Sequence, residues 1–140
     1  MKNMQKSLVV VGFLFVVGLI VVFISISTAK HTLQSGALIS PQEVKHAIDA
    51  QEKITIVDVR TPEEYKQGHV KNSILLPLDT IGTKAPEALP DKNQTVYVYC
   101  QTGHRSAQAV SALQQMGYTH VYSMEGGLTA WQNAGYPIVK

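Results

Sequence analysis

The sequence holds a single cysteine, Cys100, in 140 residues. One cysteine excludes an intramolecular disulfide and any C-x-x-C redox pair. The five histidines, His31, His46, His69, His104 and His120, are scattered. No Cys/His set has zinc spacing, and Cys100 with His104 falls short of the three or four ligands zinc needs, so neither a metal nor a cofactor is implied. Acidic residues are missing altogether before Glu43. From Leu33 onward ten acidic residues face nine basic ones. The net charge of +2 therefore comes from Lys2, Lys6 and Lys30, and it marks no nucleic-acid surface. Internal repeats and low-complexity tracts are absent as well.

Charge is also missing from one long run. Ser7 to Ala29 carries no charged residue over 23 positions. As a helix it would span ~34 Å, against a hydrocarbon core of ~30 Å. That length favours an uncleaved transmembrane anchor over a signal peptide, whose apolar region is shorter. Ser27-Thr28-Ala29 is the alternative, a small-residue cleavage site. Lys2 and Lys6 precede the run, which places the N-terminus in the cytoplasm and the rest of the chain outside the cell membrane. Cleavage near Ala29 would instead leave a secreted or periplasmic domain. The chain thus divides into an anchor or signal segment (1–30), a tether (31–35) and a globular domain (36–140). About a hundred residues suffice for a domain that folds alone.

Within the domain, strand-like and helix-like stretches alternate. Ala37-Leu38-Ile39 reads as a short strand. Ser40-Pro41-Gln42-Glu43 is a capping box with proline at the first helical position, opening a helix that runs to about Gln51. Ile54 to Val59 is a nearly continuous apolar run, the pattern of a strand buried on both faces. Thr61-Pro62-Glu63-Glu64 is a second capping box, whose two glutamates complement the helix dipole. Ser73 to Leu76 predicts a third strand. Leu78 to Leu89 reads as irregular or partly helical, broken by Gly82 and Pro86. Thr95 to Tyr99 predicts a fourth strand and Ala107 to Met116 a helix closed by Gly117. Tyr118 to Tyr122 predicts a fifth strand, and Gly126-Gly127 opens a last helix carrying Trp131, a core residue. The order predicts an α/β domain of three layers, a five-stranded, mostly parallel sheet with helices on both faces.

Cys100 falls where a strand ends and a helix begins, the position where α/β proteins place their chemistry. A helix N-terminus and a nearby cation each lower a thiol's pKa. Cys100 precedes the helix, and Arg105 closes the turn. The segment Gln101-Thr102-Gly103-His104-Arg105-Ser106 would turn successive backbone N–H groups inward to cradle an anion or an anionic sulfur. Gly103 supplies the positive φ that a tight cradle requires. A lone cysteine in a small domain is otherwise a buried apolar residue. The polar residues that follow Cys100 favour a nucleophile.

The chain resembles a single-domain rhodanese, a sulfurtransferase of the thiosulfate type. The resemblance rests on Asp58-Val59-Arg60, Glu63-Glu64-Tyr65 and Gly68-His69-Val70, on Cys100 to Ser106, and on Glu125-Gly126-Gly127, Ala130-Trp131 and Gly135-Tyr136-Pro137. It covers residues 36–138 and does not extend to 1–35. It implies a Cys100 thiolate that takes the sulfane sulfur of thiosulfate or a similar donor, releases sulfite and carries a persulfide. Cyanide, a small thiol or an acceptor protein would then remove the sulfur. It also implies that Arg105 shapes the loop and offsets donor charge, while Gln101, Thr102 and His104 line the mouth. Asp58 and Arg60 would support the active loop, or form a purely structural ion pair. His104 is either a titrating donor-site group or a solvated loop residue, and His69 is structural.

Two other readings compete. Phosphatases of the cysteine-arginine type use five residues between those two side chains, and here four intervene, Gln101 to His104. The shorter loop suits one sulfur atom better than a phosphoryl group. The other alternative is a non-catalytic, membrane-tethered rhodanese-like module that binds a partner or senses sulfide, against which the intact Cys100 and Arg105 count.

Overall fold

A computed structural model describes residues 35–140. The expected anchor and nearly all of the tether lie outside the described residues. Among the described residues no helix is long and apolar enough to cross a membrane.

Five strands and five α-helices alternate: β1 (Leu38–Ile39), α1 (Pro41–Asp49), β2 (Ile54–Asp58), α2 (Pro62–Gln67), β3 (Ile74–Leu75), α3 (Ile81–Ala88), β4 (Thr95–Tyr99), α4 (His104–Gln115), β5 (His120–Met124) and α5 (Gly127–Asn133). A 3-10 turn, Leu78–Thr80, leads into α3. The strands form one sheet in the order β1-β5-β4-β2-β3. Every pairing is parallel, so the sheet is wholly rather than mostly parallel. Both capping boxes form: Ser40 with Glu43 opens α1, and Thr61 with Glu64 opens α2.

The pleat of β4 sorts its side chains between two cores. Val96, Val98 and Cys100 point to the face covered by α3 and α4, where they meet Ile81, Ala85, Ala109 and Leu113. Tyr97 and Tyr99 point to the other face, against Ile39, Val44, Leu128 and Trp131. Burial of each such aliphatic or aromatic side chain contributes roughly 1.5–3 kcal/mol. Helices on both faces explain why β2 and β4 are mostly apolar rather than alternating.

The connections also locate the site. From β2 the chain moves outward to β3, and from β4 it moves the opposite way to β5. The C-terminal ends of β2 and β4 therefore flank the crevice at which a parallel sheet reverses its winding. Asp58 and Tyr99 are paired in register at those two ends.

Four expectations are corrected. The stretch 81–88 is a helix that contains both Gly82 and Pro86. The hydrogen bond that Pro86 cannot donate would reach Gly82, only one turn from the helix start, while buried Ile81 and Ala85 hold the segment to the core. The fifth strand lies at 120–124 rather than 118–122. Tyr118 instead caps α3, its hydroxyl donating to the carbonyls of Ala85 and Leu89 at 3.0 and 2.8 Å. Helix α1 stops at Asp49, and Gln51 turns back with φ 54°. Helix α4 begins at His104 rather than Ala107, which shortens the free loop to Gln101–Gly103.

Candidate active site

Cys100 is 1% exposed, at the end of β4. By exposure alone it is a core cysteine, but its surroundings are polar. The Gly103 N–H donates to Sγ at 3.1 Å. Ser106 Oγ lies 3.7 Å from Sγ. Burial pushes the thiol pKa up, but the N–H and hydroxyl of Ser106 and the N–H groups of Gly103 and Thr102 outweigh it. The net shift is below an ordinary thiol.

The loop holds this shape because it is pinned from outside. The N-terminal turn of α5 donates from Leu128 N–H to the Cys100 carbonyl at 2.8 Å and from Thr129 N–H to the Gln101 carbonyl at 3.1 Å. In a trans peptide the N–H points opposite to the C=O, so carbonyls held outward leave the following N–H groups facing the sulfur. Gly127 makes the approach feasible: a Cβ there would sit 2.5 Å from the Cys100 carbonyl oxygen. Gly103 caps α4 with φ 108°, the left-handed conformation its position requires.

The six residues after Cys100 do not act alike. Gln101 is half-buried, and both ends of its amide are engaged. Its Oε1 accepts from Arg60 Nη1 at 3.2 Å, and its Nε2 donates to Thr129 Oγ1 at 3.0 Å, so it ties the loop after β2 to α5. Thr102 is exposed and contributes its backbone N–H. His104 is exposed at the start of α4. Ser106 is fully buried beneath the sulfur. Its hydroxyl donates to the Gly103 carbonyl at 3.0 Å and shares a hydrogen bond of 2.8 Å with Ser123 of β5. A second hydroxyl thus backs the first, and Ser106 can turn its proton towards a thiolate while Ser123 donates to it.

Asp58 and Arg60 form a buried ion pair, at 0% and 3% exposure. Arg60 Nη2 donates to Asp58 Oδ2 and to the Gly68 carbonyl, both at 2.7 Å. The pair is structural and supporting at once, because the same guanidinium holds Gln101. His69 is structural: its ring stacks on Tyr65 with centroids 3.7 Å apart, and its backbone bridges to Val139.

Arg105 is not free. Its two terminal nitrogens bind Glu64 Oε2 and Oε1, each at 2.8 Å. Glu64 also accepts the Thr61 N–H at 3.0 Å, so one carboxylate caps α2 and clamps Arg105. Arg105 holds that carboxyl well below the usual range, at about 2. Reading Glu64 as a dipole partner alone missed this contact. The capping box was the visible signal, but nothing local indicates a partner 41 positions away. Thr129 and Ser123 were missed too. Ser123 lies one residue past the strand expected at Tyr118 to Tyr122, so local pattern offered no signal for it.

A cysteine sulfur at a strand end, ringed by backbone N–H groups at the sheet's reversal point, is an arrangement that suits a small anionic group. The chain belongs to the rhodanese-like domain family, whose family model matches residues 40–134. Thiosulfate sulfurtransferase PspE of Escherichia coli is 49% identical over 70 residues, which cover 50% of this chain and 67% of that protein. A protein of Allochromatium vinosum named Sulfurtransferase is 40% identical over 88 residues, 63% of this chain and 80% of that one. The crystal structure of a rhodanese-related protein from Thermoplasma volcanium superposes with a TM-score of 0.65 at 33% identity, covering 74% of this chain and 97% of that one. Membership with relatives so named supports a transferase.

Proposed function

We propose that this protein is a sulfurtransferase that carries sulfane sulfur as a persulfide on Cys100. The observation that carries this reading is the 3.1 Å donation from Gly103 N–H to Sγ, within a set of donors that lowers the thiol pKa. In the first half-reaction the thiolate attacks the terminal sulfur of thiosulfate or a similar donor. A new S–S bond forms, the donor's S–S bond breaks, and sulfite leaves with the electron pair. In the second, an acceptor nucleophile such as cyanide, a small thiol or a protein cysteine takes the outer sulfur, and the electron pair of the broken bond returns to Cys100. The loop N–H groups hold the charge of both the thiolate and the persulfide. Two half-reactions through a covalent intermediate give ping-pong kinetics.

The depth of Sγ supports a slim terminal sulfur as the attacked atom. A tetrahedral phosphorus is a poorer match to so enclosed a sulfur, in keeping with the four-residue spacing from Cys100 to Arg105. The test is incubation with thiosulfate followed by intact mass. A gain of one sulfur that disappears in Cys100→Ser supports the enzyme, and no gain with any donor leaves a binding module instead.

A further inference from the structure

The segment that runs from β2 into α2 grips the cysteine loop at both ends. Arg60 Nη1 donates to Gln101 Oε1 at 3.2 Å, and Glu64 binds Arg105 through both carboxylate oxygens at 2.8 Å. Each contact joins residues 41 positions apart, so segment 60–64 lies in step with 101–105. Arg60 is itself fixed by buried Asp58, and Glu64 by the Thr61 N–H at 3.0 Å.

Arg105 has a second anionic neighbour. Its hydrogen bonds to Glu64 do most to raise the guanidinium pKa, and burial opposes them. The charge of Glu64, the charge of the Cys100 sulfur and a hydrogen bond to that sulfur add to the rise. Glu64 takes an N–H from each terminal nitrogen, and a guanidinium carries further donors in the same rigid plane. A carboxylate that grips the fork therefore also sets the direction of the donors left for the sulfur.

We propose that Glu64 is a positioning residue for the reaction at Cys100: by clamping the fork of Arg105 it holds the guanidinium plane in reach of the sulfur, and so makes the cap of α2 part of the thiolate's surroundings. The proposal rests on the sulfurtransferase reading for its consequence in sulfur loading. Two effects of Glu64 on the thiol oppose each other. Its charge repels a thiolate, but across a half-buried site that solvent screens. The contact from guanidinium to sulfur is short-ranged and directional, and a long arginine side chain released from its clamp turns its head to water. Positioning therefore outweighs repulsion. The other charged groups around the loop are held or solvated. Arg60 is paired with Asp58, Asp79 lines the pocket beside Arg105, and Glu63, His104 and Glu125 are exposed. From β5 and α5 come the neutral Ser123 and Thr129.

The experiment reads the pH dependence of Cys100 alkylation by iodoacetamide, a neutral probe, in the full-length protein. Glu64→Gln keeps an acceptor for the Thr61 N–H but breaks the fork, and should raise the midpoint by about one unit. Glu64→Asp keeps the charge and withdraws it by a methylene, and should raise the midpoint too, which loss of charge alone would not do. Combined with Arg105→Ala, neither substitution should move the midpoint further. Below both midpoints, a rise of about one unit leaves about tenfold less thiolate, partly offset by its greater nucleophilicity, so sulfur loading from thiosulfate should slow about threefold. A midpoint that stays or falls in Glu64→Gln, a native midpoint in Glu64→Asp, or a shift that persists without Arg105 overturns the proposal. Midpoints that shift as expected in a protein that gains no sulfur from any donor support the positioning role and overturn the sulfurtransferase reading instead.

Discussion

At the residue scale the thiol is governed by a contest between burial and hydrogen bonding, and the donors win. Sulfur loading or alkylation of Cys100 should therefore rise with pH through a midpoint below that of an ordinary free thiol. Ser106→Ala removes one hydroxyl donor while leaving the backbone N–H groups, so the midpoint should move upward. A midpoint unchanged in that variant would assign the whole effect to the backbone. Glu64 titrates in the other direction of interest. Its carboxyl is lowered from 4.5 to about 2 by Arg105, so the pair's contribution to stability is fully present above about 4.5 and is lost as the pH falls through about 2. Urea midpoints should drop across that window in the native protein and less in Glu64→Gln, with added salt shrinking the difference. Asp58 carries a larger stake. Asp58→Ala leaves the Arg60 guanidinium buried without its partner, a change that costs about 3–5 kcal/mol. Denaturant unfolding at neutral pH measures it.

At the element scale the site is a joint between β4, α4 and α5. The start of α4 at His104 puts Ser106 inside the first helical turn, where its N–H points back at the sulfur. Local pattern could not place that start, because the cap position is Gly103, which makes no side-chain cap hydrogen bond, rather than Thr102 or Ser106. Gly103 caps by conformation alone. Helix α5 fastens the loop by two backbone bonds, and Gly127 is the close approach that allows them. Gly127→Ala would add a methyl against the Cys100 carbonyl at a backbone conformation with φ 58°. The expected cost is about 1–3 kcal/mol in stability, together with slower sulfur loading as the N–H cradle opens. A variant that loses stability but loads sulfur at the native rate would show that α5 does not shape the cradle. The glycine pair at 126–127 was visible as a helix start. Its contact with a residue 27 positions earlier was not.

At the scale of the whole molecule, the reversal of winding between β2 and β4 brings together residues separated by 40 or so positions. Asp58, Arg60, Glu64 and Cys100 to Ser106 share one end of the sheet for that reason. The N-terminal segment 1–34 belongs to the same scale. That it anchors the domain on the outer side of a membrane is a proposal from its uncharged length and lysine flanks. Membrane fractionation with N-terminal analysis tests it: the protein should pellet with membranes and keep Met1 to Ala29. A mature start at Lys30 in a soluble fraction would sink the anchor.

The alternation of strands and helices, both capping boxes, the buried central strands and the position of Cys100 at a strand end were all legible in the linear chain, because each depends on hydrophobic period and turn chemistry within a few residues. Which way each side chain of the loop turns was not. Gln101 became a strut, Arg105 a clamped cation and Ser106 a buried hydroxyl, because each met a partner from another element. Their partners, Thr129, Glu64 and Ser123, lie 17 to 41 positions away. Only the packing of α2, β5 and α5 around the end of β4 decides such pairings, since hydrogen bonds and ion pairs form over distances that sequence separation does not record.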